Sequence, residues 1–79
     1  MIVEVPNCRW WVEIDESQHP YCSCNIYIDD YLVEEAAFDF DTGKFDCIDE
    51  DSRIRSQDGF EKYTKMLEKE IMRVWELEN

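Results

Sequence analysis

Between Cys8 and Asp49 apolar side chains recur at every second residue, and beyond Asp58 they recur at every third or fourth. A period of two belongs to a strand with one buried face, and a period near 3.6 to a helix with one buried stripe. A chain that changes period once, across the polar stretch 50–57, is held to a sheet followed by a helix.

The individual strands follow from the same alternation. Trp10, Val12 and Ile14 alternate with Trp11 and Glu13, which predicts a strand over about 8–15. The polar run 16–20 ends it, and Cys22, Cys24, Ile26 and Ile28 then alternate with Ser23, Asn25, Tyr27 and Asp29, giving a strand over 21–28. Asp29-Asp30 offers a tight turn into a third strand, 32–41, with Ala36, Phe38 and Phe40 on one side and Glu35, Ala37, Asp39 and Asp41 on the other. Thr42-Gly43 turns the chain into a return strand, 44–49, in which Phe45 and Cys47 point inward and Ile48, out of step, marks a bulge.

Residues 50–57 lack a period and are expected to cross the sheet edge. Asp58 and Glu61 then have the spacing of a capping box, and Phe60, Tyr63, Leu67, Ile71 and Val74 repeat at helical intervals, predicting a helix over 58–77. Short connections favour an antiparallel meander. The expected fold is therefore α+β: an antiparallel four-stranded sheet with one C-terminal helix packed on one face, forming a single domain over 1–79.

Seventy-nine residues support only one modest core, so the 3 Trp, 4 Tyr and 4 Phe are first of all structural. The chain opens without a basic region leading into a long apolar run, and about 18 consecutive apolar residues occur nowhere in it. The expectation is a cytoplasmic protein that does not enter a membrane. In that compartment Cys8, Cys22, Cys24 and Cys47 are expected to stay reduced.

Charge is the second constraint. Twenty acids against 8 bases give a net charge of -12, far beyond what solubility requires. The helical region, 57–79, is nearly balanced, with 6 acids and 4 bases, whereas 29–51 holds 10 acids and only Lys44. In the predicted register Glu35, Asp39, Asp41 and Asp46 project from the sheet face away from the helix, where like charges on neighbouring strands repel. A one-sign face that keeps such repulsions, with the aromatic rings of Trp11 and Tyr27 beside it, suits recognition of a basic partner. Carboxylates on a strand also rise at close to the 3.4 Å per-strand spacing of duplex phosphates, which suggests mimicry of a nucleic acid. Direct binding of nucleic acid is not expected, since phosphates are repelled and the helix bases are interleaved with acids.

No constellation points to catalysis. Asp41-Thr42-Gly43 matches the core of the aspartic protease signature, but Lys44 departs from the residue that normally follows and Thr-Gly is an ordinary hairpin turn. Asp39-Phe40-Asp41 resembles the start of a dehalogenase-type phosphotransferase motif without the large parallel sheet that chemistry needs. Asp39, Asp41 and Glu50 fall at calcium-loop positions, yet Lys44 takes the place of the required glycine. Cys8, His19, Cys22, Cys24 and Cys47 are enough soft ligands for one zinc, although the Cys-x-Cys spacing lacks paired knuckles and favours core packing. No catalytic residue, metal or cofactor is assigned.

A very small, acidic sheet-plus-helix chain of this kind resembles, in size and charge, the phage-encoded anti-CRISPR and anti-restriction inhibitors. The resemblance implies an inhibitor in the host bacterial cytoplasm that occupies a Lys/Arg-lined channel of a protein or ribonucleoprotein defence complex such as a CRISPR effector. The contacts it implies are Asp29, Asp30, Glu34, Glu35, Asp39, Asp41, Asp46, Asp49, Glu50 and Asp51. Two alternatives remain at this point: an immunity protein or antitoxin that caps a nuclease toxin, and a structural zinc-binding interaction module. Met66 and Met72, expected on the exposed side of the helix, leave both a monomer and a homodimer open.

Overall fold

The computed structural model describes residues 1–78; Asn79, the last residue of the expected domain, lies outside the described residues. The chain runs β1 (Ile2–Glu4), β2 (Trp10–Ile14), β3 (Tyr21–Ile28), β4 (Tyr31–Asp39), β5 (Lys44–Asp46) and α1 (Phe60–Glu78), with short 3-10 turns at Glu16–Gln18 and Arg53–Ser56. The strands form one antiparallel meander in sequence order, and α1 packs on one face of it. The α+β architecture with a C-terminal helix is thus present, but the sheet has five strands where four were expected.

The additional strand, β1, is too short for a period of two to show in sequence. Its register, Ile2 opposite Glu13 and Glu4 opposite Trp11, turns Val3 inward against Val12. Val3 is 1% exposed and joins the core, and the Met1 carbonyl extends the pairing by accepting from Ile14 N at 2.8 Å.

Directly opposed residues share a face, so the inward side reads as a set of rungs. Cys22, Phe38 and Phe45 form one, Ile14, Cys24 and Ala36 the next, and Val3, Val12, Ile26 and Glu34 a third. Leu67 and Ile71 of α1, both fully buried, close over these rungs, flanked by Phe60, Tyr63, Met72 and Trp75. Thr64 is buried as well, and its hydroxyl donates to the Phe60 carbonyl at 2.7 Å, which lets a polar side chain sit in the helix seam.

Several expected boundaries move, each for a local reason. The pairing of Ile26 with Glu34 and of Tyr27 with Leu32 leaves Val33 as the extra residue of a β-bulge, so the irregularity expected at Ile48 lies in β4 instead. β5 stops at Asp46 because Cys47 takes a positive φ of 61°, which turns its side chain out to solvent while Ile48 packs against the core. Within the stretch expected only to cross the sheet edge, the Arg53–Ser56 turn buries Ile54 completely. Helix α1 begins at Phe60: Gly59, at φ 81°, caps it by accepting from Tyr63 N at 2.8 Å, in place of the expected capping box led by Asp58. Met66 and Met72 are half-buried, so neither stands out as the exposed contact expected for a dimer. No helix among the described residues is long and apolar enough to cross a membrane.

Truncating Leu67 to Ala removes contacts at the centre of the seam, and urea denaturation should show a loss of about 2–5 kcal/mol. Gly59→Ala should cost about 1–3 kcal/mol because a positive φ disfavours a side chain. The added Cβ would also lie 2.5 Å from Cε2 of Tyr63. An unchanged urea midpoint in either variant would contradict the seam or the cap described.

Candidate interaction face

With α1 on one side, the other face of the sheet is uncovered. The register assigns it Ile2 and Glu4 from β1, Trp11 and Glu13 from β2, Tyr21, Ser23, Asn25 and Tyr27 from β3, Leu32, Glu35, Ala37 and Asp39 from β4, and Lys44 and Asp46 from β5. Five carboxylates therefore share this face with a single ammonium.

At its centre the indole of Trp11 and the phenol ring of Tyr27 stack with centroids 4.1 Å apart and planes 7° from parallel. They are directly opposed across β2 and β3, and Leu32, 48% exposed, continues the row on β4. The indole Nε1 donates to the Asp29 carbonyl at 2.6 Å, which fixes the ring against the β3–β4 turn. The adjacent rung places Glu13 and Glu35 on either side of Asn25, about 10 Å apart at two strand spacings. An apolar aromatic strip with carboxylates along its flank is the resulting pattern.

A second constellation occupies the β4–β5 side. Tyr21 reaches over β4 to donate to Asp46 Oδ2 at 2.8 Å, and its hydroxyl lies 3.1 Å from Cys47 Sγ. These contacts, first to Cys47 and then to Asp46, raise the phenol pKa, while the Tyr21 hydroxyl and then the Cys47 N–H hold the Asp46 carboxyl below its ordinary range. Asp39, half-buried at the end of β4, accepts from Asp41 N at 2.8 Å and so braces the hairpin turn.

The other expected contacts scatter around this face. Asp29 is engaged by Arg9, whose Nε donates to its Oδ2 at 2.9 Å and holds the carboxyl below its ordinary range. Glu34 points to the helix side, where its half-buried carboxylate accepts from Ser52, the residue that also caps the Arg53–Ser56 turn. Asp30 and Asp41 are exposed in turns. Asp49, Glu50 and Asp51 are exposed in the loop after β5, which Arg55 pins by donating to the Ile48 and Asp49 carbonyls at 2.7 Å each. The expected phosphate-like row is not formed: Glu35 and Asp39, on the same face of β4, are about 13 Å apart at the rise of a strand. Successive residues of a strand alternate faces, so a run of acids cannot present one carboxylate per rise.

Sequence reasoning missed Glu4 and Glu13. Glu13 was identifiable as the residue that follows Trp11 on the outward alternation, whereas Glu4 depends on β1. It also missed a line of cations: Lys65, Lys69 and Arg73 look interleaved with acids in sequence, yet their spacing of four residues puts them on one side of α1.

The sequence matches no protein-family model, and no curated protein or solved structure shows significant similarity to it.

The soft ligands do not converge. Among the described residues no three His, Cys, Asp or Glu side chains are grouped to hold a metal ion, and the four cysteines are free thiols. Neither the cysteines and His19 nor Asp39, Asp41 and Glu50 are therefore brought together as a ligand set among the described residues. Burial pushes the Cys24 thiol up to about 12 and raises that of Cys22, with Asp15 and Glu16 adding to the latter. Ellman's reagent should accordingly label exposed Cys47 in the native protein and leave Cys22 and Cys24 unreacted until denaturant is added. Rapid native labelling of all four thiols would contradict the core. Because the Asp29 pKa is lowered, the stabilisation from its pair with Arg9 is complete above the ordinary value of 3.8 and lost as pH falls through the folded value. In Arg9→Gln a carboxylate NMR titration should return the Asp29 midpoint toward 3.8; an unmoved midpoint would deny the pairing.

Proposed function

We propose that this protein is a binding protein, not an enzyme, that docks its open sheet face on a basic, phosphate-binding surface of a nucleic-acid-processing complex and inhibits it, in the manner of an anti-CRISPR protein. One observation carries this reading: Glu4, Glu13, Glu35, Asp39 and Asp46 share an uncovered face with Lys44 alone, around the stacked rings of Trp11 and Tyr27.

Two physical arguments support it. No two of these carboxylates are directly opposed, and Asp39 faces Lys44, but Glu4 and Glu13, and Asp39 and Asp46, are diagonal neighbours about 7–8 Å apart whose repulsion Lys or Thr would relieve. Retaining them is favoured where a cationic surface neutralises them in a complex. Interfaces draw most of their affinity from a few aromatic and arginine anchors in a desolvated centre, and a rigid aromatic pair edged by carboxylates offers a landing place for guanidinium groups. The scattered carboxylates suit a patch of complementary charge better than a copy of a phosphate backbone.

The test is affinity capture from bacterial lysate with wild-type protein and with Glu13→Lys/Glu35→Lys, with and without nuclease, at low and high salt. Both positions are exposed, so the variant should fold. The expected result is a basic nucleic-acid-processing complex that is released by high salt, competed by DNA or RNA and lost in the double variant. A nuclease toxin as the captured species would make the protein an immunity factor instead. Capture that survives the double variant would remove the sheet face from the interface.

A further inference from the structure

On the side of the molecule built by α1 lies a groove of about 720 Å³ between the helix and the β4–β5 hairpin. Phe40, Gly43 and Met72 form its floor, with Met72 Cγ placed 3.5 Å from where a Cβ on Gly43 would stand. Its rim carries Lys44 from β5 and Lys65, Lys69 and Arg73 from α1, which is half of the 8 cations in a chain of net charge -12. The three helix cations recur at four-residue intervals, about 6 Å apart along the axis.

Three acids also line the groove, but they do not neutralise this row. Glu68 is turned onto the backbone, accepting from Phe45 N at 2.9 Å. Asp41 and Glu76 stand at its ends, on the hairpin turn and the last turn of the helix. Arg73 is paired with Glu70, and among the described residues no ion pair is formed by Lys44, Lys65 or Lys69. In a chain with 20 acids, three ammonium groups left together around an apolar floor are a specific arrangement.

We propose that this groove binds an acidic peptide segment of a partner protein, seating one apolar side chain on Phe40 and Met72 while flanking carboxylates meet Lys44, Lys65 and Lys69. Charge complementarity selects an anion, and the apolar floor selects a segment that offers an aliphatic side chain between its charges. A nucleic acid is an anion but does not fit the groove. Its charges recur every 3.4 Å or so along each strand and would extend past the cationic row into the acidic surround, and its backbone brings no apolar group to the floor. Lys44, at the edge of the sheet, borders both surfaces; the groove's other residues lie outside the open sheet face, and the inference stands independently of that face.

Fluorescence anisotropy with a labelled peptide bearing two acidic residues on each side of one leucine tests this at about 0.1 M salt, where charges more than roughly 10 Å apart are screened. Saturable binding to the wild-type protein is expected. Lys65→Glu/Lys69→Glu, both exposed, should weaken it by about tenfold or more while the circular dichroism spectrum is retained. Lys44→Glu on the opposite wall should weaken it too, Arg53→Glu outside the groove should not, and replacing the peptide's leucine by serine should reduce binding through the floor. Absence of saturable binding, equal binding by the double variant, or tighter binding of a DNA oligonucleotide of the same charge would each overturn the proposal.

Discussion

Leu67 and Ile71 of α1, joined by Ile54 of the preceding 3-10 turn, close over the inward rungs of the sheet, and each is fully buried. Burying side chains of this size contributes about 1.5–3 kcal/mol apiece, a large share of the net stability of so small a domain. One helix of 19 residues can cover only one face of a five-stranded sheet. The opposite face is left without a layer of its own, and the chemistry found there follows from that shortage. It is populated by carboxylates, which tolerate water, and by a stacked pair of aromatic rings.

The seam also sorts charge. The charged residues of the sheet that cannot face α1 are mostly acidic, while the solvent side of α1 carries Lys65, Lys69 and Arg73 in a line. A molecule of net charge -12 is therefore not uniformly negative: an acidic, aromatic-centred sheet face and a cationic groove beside α1 lie on different sides of it, with Lys44 at the edge between them. Such separation gives a small protein two surfaces of opposite preference, and orients it as it approaches a charged partner. The ring cluster of His19, Phe40 and Trp75, with His19 and Trp75 centroids 4.6 Å apart, ties the end of the helix to the β4–β5 hairpin and so supports the groove wall.

What was legible in the sequence tracks how many consecutive residues repeat a pattern. β2, β3 and the greater part of β4 were readable because a buried face imposes alternation over five or more positions, and the outward placement of Glu35, Asp39 and Asp46 followed from it. β1 was not, because three residues hold no period. Cys47 misled because nothing in its side chain announces a left-handed backbone; Ile54 did so because one apolar residue in a polar run carries no phase. Val33 was recoverable in principle, since Leu32 and Val33 are adjacent apolar residues and break the alternation at the bulge. Glu34 shows the limit of charge as a guide: its carboxylate is drawn to the helix side by Ser52, which no count of acids reveals.

We propose the uncovered sheet face, and not the acidic loops around it, as the place where cationic partners land. Titrating the isotopically labelled protein with a short arginine-rich peptide and following amide and indole NMR signals tests it directly. The largest shifts should fall on Trp11, Glu13, Asn25, Tyr27 and Glu35, with the Trp11 indole N–H among them. Shifts confined to the loop of Asp49, Glu50 and Asp51 and the turn at Asp41, with the Trp11 and Tyr27 signals unmoved, would contradict it.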